Sequence, residues 1–358
     1  MTHSTIRAVA QPGLSKALLA LFTALVFAVC SLWSMGAMAQ DASERSQAQV
    51  QKQQTQPLNN SPVWEGVASG ESFTTVTKGR ETGVLINKSG ETWRQMRNDW
   101  ISYYGGWAVA LVFLVIVGAH LVKGPVKLPE PRTGKLIERF TSAERVAHWT
   151  MAFSFVALAL TGLLLMFGKY VLAPWMGLTL NSWLASISIV IHNFVGPLFA
   201  VSIIVFFIMY VKDNLPEKND IEWLKKGGGL FGHAPAGRFN MGEKIWFWGG
   251  VTVLGIVVSA TGLILDFPNF DQDRLLMQQS HVIHASAALL FIIMSMGHIY
   301  IGSIGMEGAL EAMRDGYVDE TWAKAHHDAW YDDIKAGKIS PVRSKEGATA
   351  MGSQVMAR

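Results

Sequence analysis

The chain has 358 residues, of which 50% are hydrophobic and only 16% charged, with a formal net charge of +3 and a mean hydropathy of +0.25. A soluble domain carries about 25% charged residues, so a soluble globular enzyme is excluded in favour of an integral membrane protein. The small net charge gives no ground for a nucleic-acid partner, and a single cysteine, Cys30, excludes a disulfide framework and a cysteine-held iron–sulfur cluster.

Residues 1–39 have the three parts of an export signal: Arg7 and Lys16, an apolar stretch over 17–33, and the small-residue pattern Ala37-Met38-Ala39. Cleavage after Ala39 is expected; an uncleaved anchor leaves the downstream topology the same. Residues 40–103 form an exported polar region, rich in Gln, Ser, Thr and Glu. Its first part reads as a linker, and 64–93 as a small exported lobe with a turn at Asn87-Lys88-Ser89-Gly90.

Five membrane spans are expected next, since crossing the hydrocarbon core takes about 20 apolar residues. The first covers 104–122, anchored by Trp100, Tyr103, Tyr104 and Trp107 at the interface. The others lie at 146–168, within 170–211, at 245–265 and at 275–306. In the third, a loop around Pro174 and Asn181 precedes a helix from about Ser186. The fold class is therefore all-α: a transmembrane bundle of about five spans, in which 146–306 forms a four-helix domain and 104–122 an additional N-terminal span.

Orientation follows from Lys and Arg. Residues 123–145 carry six, 212–244 carry six and the tail 307–358 carries seven, whereas the opposite connections carry only Lys169 and Arg274. The positive-inside rule makes the basic connections and the C-terminus cytoplasmic and the N-terminal region periplasmic, as the export signal also requires. The basic connections are also suited to contact anionic lipid head groups.

Five histidines fall within or at the edges of the last four spans: His148, His192, His281, His284 and His298. Ionisable side chains in a membrane are costly and usually functional. His284 and His298 stand 14 residues apart, close to four turns and about 21 Å along one helix face. Depth then pairs His192 with His284 near the outer surface and His148 with His298 near the inner one. His281, three residues from His284, competes with it for the outer position. Two facing imidazoles can take both axial positions of a haem iron, and such a haem suits electron transfer because no coordination site is left for substrate. No C-x-x-C-H motif is present, so any haem is of the b type. His120 has no evident partner at its depth, His233 sits in a glycine-rich loop, and His326 and His327 read as solvated residues of a charged tail.

An internal echo, Thr161-Gly162-Leu163 and Thr261-Gly262-Leu263, places a Thr-Gly pair at similar depth in the second and fourth spans. Close helix packing and room for a flat cofactor both account for it. Gly162, Gly196, Gly262 and Gly297 are candidates for approach to porphyrin faces.

From about residue 139 to 330 the chain resembles the gamma subunit, a dihaem cytochrome b, of membrane-bound respiratory formate dehydrogenase. The motifs, in order, are Glu144-Arg145-Val146-Ala147-His148-Trp149, Ile191-His192-Asn193-Phe194-Val195-Gly196, Asn214-Leu215-Pro216, Ile283-His284-Ala285-Ser286-Ala287, Gly297-His298-Ile299-Tyr300 and Trp322-Ala323-Lys324-Ala325-His326-His327. The additional first span and exported region resemble the longer form of that subunit. The resemblance implies two haem b groups on the pairs His192/His284 and His148/His298, with His281 not a ligand. It implies a quinone site (menaquinone or ubiquinone) on the cytoplasmic side beside His298, carried by Asn240 and Gly242; Met241 and Glu243 depart from the family's Ala and Gln. It also implies an iron–sulfur beta subunit, a molybdenum- or tungsten-containing alpha subunit that oxidises formate, and residence in the bacterial inner membrane. The alternatives are the cytochrome b subunit of a hydrogenase or thiosulfate reductase, or a haem-free anchor or transporter.

Overall fold

A computed structural model describes residues 61–76, 79, 82–229, 234–345 and 347. The expected export signal, the linker before residue 61, Cys30 and His233 lie outside these residues. The chain divides into two compact units, 1–93 with 267–280, and 94–266 with 281–358.

In the first unit, α1 (Ser61–Ser69) precedes two short antiparallel strands, β1 (Phe73–Thr74) and β2 (Leu85–Ile86), with Phe73 opposite Ile86. The Phe73 ring is buried over Gly66, where a Cβ would lie 2.8 Å from it. A short helix, α2 (Lys88–Gln95), follows the hairpin.

The second unit is the helical bundle. Among the described residues, five helical stretches are long and apolar enough to cross a membrane: Lys88–Lys123, Ser142–Val171, Ala173–Tyr210, Met241–Asp266 and Arg274–Gly305. They correspond to the five expected spans, and the fold class is as expected. The first ends in α3 (Tyr103–Lys123), which buries none of its residues and exposes Leu111, Phe113 and Leu114. In water such a face would be untenable; in lipid it is the solvated surface. Gly124, at φ 68°, stops α3 while its N–H caps the His120 carbonyl at 2.8 Å.

After β3 (Leu136–Glu138), α4 (Ser142–Val171) opens with a capping box. The Thr141 hydroxyl accepts from the Glu144 N–H and the Glu144 carboxylate from the Thr141 N–H, at 3.3 and 2.8 Å. The helix runs away from β3 and returns as α5 (Ala173–Tyr210). This third span differs from expectation. Helix begins at Ala173, with a break at Gly177 (φ 80°, ψ 159°), and Asn181 is already helical. Proline is compatible with a first turn, so Pro174 marks a start rather than a loop. The Asn181 side chain packs over Gly168 of α4, where a Cβ would lie 2.7 Å from its Oδ1. His192 lies 15 residues past the break, about four turns along the helix.

A short helix, α6 (Lys218–Lys225), leads to the fourth span, built from α7 (Met241–Ile245), a π-helical segment (Trp246–Leu254) and α8 (Gly255–Asp266). The fifth, α9 (Arg274–Tyr300), ends in a further π segment, Ile301–Gly305. Then come α10 (Ala309–Arg314), β4 (Tyr317–Asp319), α11 (Glu320–His326) and α12 (Asp328–Lys335). β4 pairs antiparallel with β3, Ile137 opposite Val318. The segment 307–345, expected as a tail, is thereby tied to the start of α4. Gly316 (φ 95°) makes the turn, since a Cβ there would meet the Phe140 carbonyl at 2.7 Å.

The core runs through the bundle as Phe199, Ile203, Phe206, Tyr210, Phe247, Val251 and Phe291, and continues into Ile137, Val318, Trp322 and Trp330. One continuous apolar interior therefore joins the spans to the β3–β4 sheet.

Candidate functional site

The bundle brings the expected histidines together in two pairs. The ring centres of His192 on α5 and His284 on α9 are 6.1 Å apart. Those of His148 on α4 and His298 on α9 are 6.3 Å apart. The second pair lies at the sheet end of the bundle, where α4 starts and α9 finishes. His284 and His298 share α9 at the expected 14-residue spacing. The ring that faces His192 is that of His284; His281 stands one turn earlier.

These separations suit a metal held between two rings. An imidazole nitrogen binds a transition metal at about 2.0 Å and lies about 1.1 Å from its ring centre, so two opposed rings sit about 6.2 Å apart. The protonation of the His192/His284 pair points the same way. The Thr161 hydroxyl reaches the Ala157 carbonyl at 2.7 Å and His192 Nδ1 at 2.9 Å. A hydroxyl has one hydrogen, and a carbonyl can only accept. Thr161 therefore donates to Ala157 and accepts from His192 Nδ1–H. Thr261 repeats the arrangement, donating to the Val257 carbonyl at 2.6 Å and meeting His284 Nδ1 at 3.2 Å. His284 Nδ1 also lies 3.0 Å from the Val258 carbonyl, which requires it to be the donor. Both rings thus carry hydrogen on Nδ1 and leave the Nε2 lone pair available to a metal.

Sequence reasoning recognised the repeated Thr-Gly pair but not its role. Gly162 and Gly262 do provide close packing, but against the imidazoles: a Cβ would stand 3.4 Å from His192 Cε1 and 3.1 Å from His284 Cε1. Gly196 and Gly297 have no atom within 4 Å of an added Cβ, so they leave width for a flat group.

The sheet-end pair is held differently. His298 stacks on Trp246 of the fourth span at 4.9 Å and 15°. His148 Nδ1 is buried without a hydrogen-bond partner among the described residues. Trp246 starts a π segment, a distortion that often accompanies functional sites.

Between the pairs, Phe155, Phe199 and Phe291 each follow a histidine by seven residues, two turns on. Phe291 meets Phe155 at 4.6 Å and Phe199 at 6.2 Å, sealing the mid-bundle with aromatic rings.

Beneath the sheet-end pair lies a buried ionic cluster. Arg139, 3% exposed, bonds Glu243 at 2.8 Å and lies 4.6 Å over the Trp322 ring. Arg238 bonds Glu144 at 3.1 Å and pairs with Asp213, while Arg343 bonds Glu144 at 2.6 Å. Lys244 is buried 3.0 Å from Asp220. Four of the cations counted as topology markers, Arg139, Arg238, Lys244 and Arg343, are thus also structural.

Two histidine expectations are corrected. His327 is not solvated: it is 1% exposed, donates from Nδ1 to the Gly237 carbonyl at 2.8 Å and stands 3.9 Å from Glu243. Burial, reinforced by the Arg139 charge, pushes its pKa well below the usual imidazole range. Burial lowers that of His326 as well. The error arose because residues 307–345 fold back under the bundle. His120 does have a partner at its depth: its Nδ1 meets the Tyr300 hydroxyl at 3.3 Å.

Asn240 and Gly242 both have structural duties. Asn240 caps α7 in a capping box with Glu243, each bond 2.9 Å. Its Nδ2 makes no hydrogen bond among the described residues. At Gly242 a Cβ would lie 2.9 Å from the Trp223 ring.

Five apolar helices, three of which bring imidazoles face to face in two pairs, define a multi-pass membrane protein of the cytochrome type. Residues 139–316 match the family described as prokaryotic cytochrome b561, and the chain belongs to that family of membrane cytochromes. Membership implies haem b, which the pair spacing and the Nδ1–H assignments fit. The chain is 30% identical over 204 residues to the formate dehydrogenase cytochrome b556(fdo) subunit of Escherichia coli K12, covering 56% of this chain and 93% of that protein. It is 30% identical over 220 residues to the nitrate-inducible formate dehydrogenase cytochrome b556(Fdn) subunit of the same organism, covering 60% and 98%. The formate dehydrogenase cytochrome b556 subunit of Haemophilus influenzae is 27% identical over 210 residues, covering 57% and 85%.

Proposed function

We propose that this chain is the dihaem cytochrome b subunit of a bacterial respiratory formate dehydrogenase, set in the inner membrane with the β3–β4 end toward the cytoplasm. The observation that carries the proposal is the presence of two imidazole pairs, 6.1 and 6.3 Å apart, at different depths of one bundle. The names of the relatives support the formate dehydrogenase assignment, and the Lys- and Arg-rich connections support the orientation.

His192 and His284 would hold the outer haem b through Nε2, and His148 and His298 the inner one. Each group, when bound, would supply a reversible one-electron iron couple. His284 and His298 lie about 21 Å apart along α9, so the chain provides two stations for an electron crossing the bilayer. Phe155, Phe199 and Phe291 keep water out of the interval. Electrons enter from an iron–sulfur subunit fed by a molybdenum- or tungsten-containing subunit, which oxidises formate outside. They leave to quinone near His298, where Asn240 and Gly242 carry the site. The Asn240 Nδ2, left over from capping, is the donor offered to a quinone carbonyl. Proton uptake falls at the cytoplasmic end, so turnover works against a membrane potential, at about 2.3 kcal/mol per charge per 100 mV.

The test is purification in mild detergent with its accompanying subunits, followed by addition of formate. The proposal predicts haem reduction by formate and reoxidation by a water-soluble quinone. Reduction by hydrogen instead of formate would reassign the chain to a hydrogenase. A haem-free protein would leave only a membrane anchor or transporter.

A further inference from the structure

The Thr-Gly echo acts on both ligands of one pair, and the other pair shows no counterpart among the described residues. Thr161-Gly162 on α4 addresses His192 on α5; Thr261-Gly262 on α8 addresses His284 on α9. In each case the hydroxyl hydrogen is spent on the carbonyl four residues back, so the oxygen presents only lone pairs to the imidazole. Helix packing alone requires small residues; it does not require a hydroxyl oxygen 2.9 and 3.2 Å from an imidazole nitrogen. Across the bundle, His148 Nδ1 is buried with no acceptor among the described residues, and His298 is steadied by the Trp246 face.

We propose that Thr161 and Thr261 are positioning residues that lower the reduction potential of the outer site relative to the inner one. The inference rests on the reading of the two pairs as haem ligands. A hydrogen bond accepted from Nδ1–H raises the basicity of Nε2. A more basic axial ligand favours the ferric state, and second-shell hydrogen bonding is one of the levers by which a protein sets a haem potential. The same bond holds each ring in one orientation, while Gly162 and Gly262 let the helix backbone approach it. With the stronger donors outside and the weaker inside, the intrinsic driving force runs from the outer site toward the inner one. His284 has a second acceptor in the Val258 carbonyl at 3.0 Å, whereas Thr161 is the acceptor seen at His192. Loss of the Thr161 hydroxyl therefore has the larger effect.

The experiment is redox potentiometry with optical and low-spin EPR detection on the purified complex. The outer component is identified as the one missing from a His192→Leu variant. In Thr161→Val, which keeps the side-chain shape and removes the hydroxyl, the outer component moves to higher potential and its low-spin EPR signal shifts. Thr261→Val gives a smaller shift of the same sign. The inner component stays in place, and Thr161→Ser restores the wild-type values. A valine variant that loses the outer haem, when the serine variant keeps it, also supports the hydroxyl's role. Unchanged potentials in both valine variants would overturn the inference, as would equal effects of valine and serine or a shift confined to the inner component. A wild-type complex without two haems would refute the functional reading itself, a result distinct from unchanged potentials in a dihaem protein.

Discussion

At the residue scale, the two imidazole pairs share α9 but stand 14 residues apart on it and rest on different supporting contacts. Replacement of His192 or His284 by Leu is therefore expected to remove one haem and leave the other, as read from the b-type spectrum and haem content; loss of both together would contradict separate sites. His327 supports a second prediction. Its folded pKa lies well below the value of about 6.5 expected when unfolded. Below about pH 6.5 the unfolded chain takes up a proton that the buried ring does not, so stability falls on acidification, by up to about 1.4 kcal/mol per pH unit. Thermal unfolding in detergent at pH 7.5 and 5.5 should show a shallower pH dependence in His327→Gln than in wild type. An unchanged slope would mean that the ring protonates in place. The pairing of the four histidines was legible in the sequence because α9 fixes their spacing and the spans fix their depth. The Thr161 and Thr261 contacts were not, since a hydroxyl's tertiary partner leaves no periodic trace. His327 was misread for a related reason: a charged sequence context does not reveal that the ring beside it inserts under Trp322.

At the element scale, hydropathy sufficed to place five spans, because lipid allows only backbone whose polar groups are satisfied internally. The break at Gly177 and the π segments at 246–254 and 301–305 escaped it, since neither changes composition. The α7 start is where structure and proposed function meet in one residue. Asn240→Ser keeps an N-cap oxygen and removes the Nδ2 donor, whereas Asn240→Ala removes both. Alanine is expected to cost about 1 kcal/mol of stability, and serine only a small part of that. Quinone reduction by the complex should fall in both variants. Full activity in Asn240→Ser would restrict Asn240 to its capping role.

At the scale of the whole molecule, the β3–β4 sheet and its ionic cluster close one end of the bundle beneath the His148/His298 pair. Loop cations were legible as orientation signals; their burial was not, because the acids that pair with them come from distant segments. Glu144 receives Arg238 from 94 residues away and Arg343 from 199. Lys244→Met would leave the buried Asp220 without its closest cation, Glu217 being the more distant acid on that lysine at 3.5 Å. The expected cost is about 3–5 kcal/mol, read as a lower unfolding temperature; wild-type stability would mean that Asp220 is solvated or protonated. The orientation predicts that a protease added to right-side-out vesicles spares a C-terminal tag and that inverted vesicles expose it. The opposite pattern would place the sheet end outside.

Two haems in one chain are the first requirement of the proposed electron path. The most direct measurement is the haem b content per polypeptide of the purified protein, taken with its reduced-minus-oxidised spectrum. Two haems per chain, resolved as two components, is the predicted result. One haem or none would contradict the pairing of His192 with His284 and of His148 with His298.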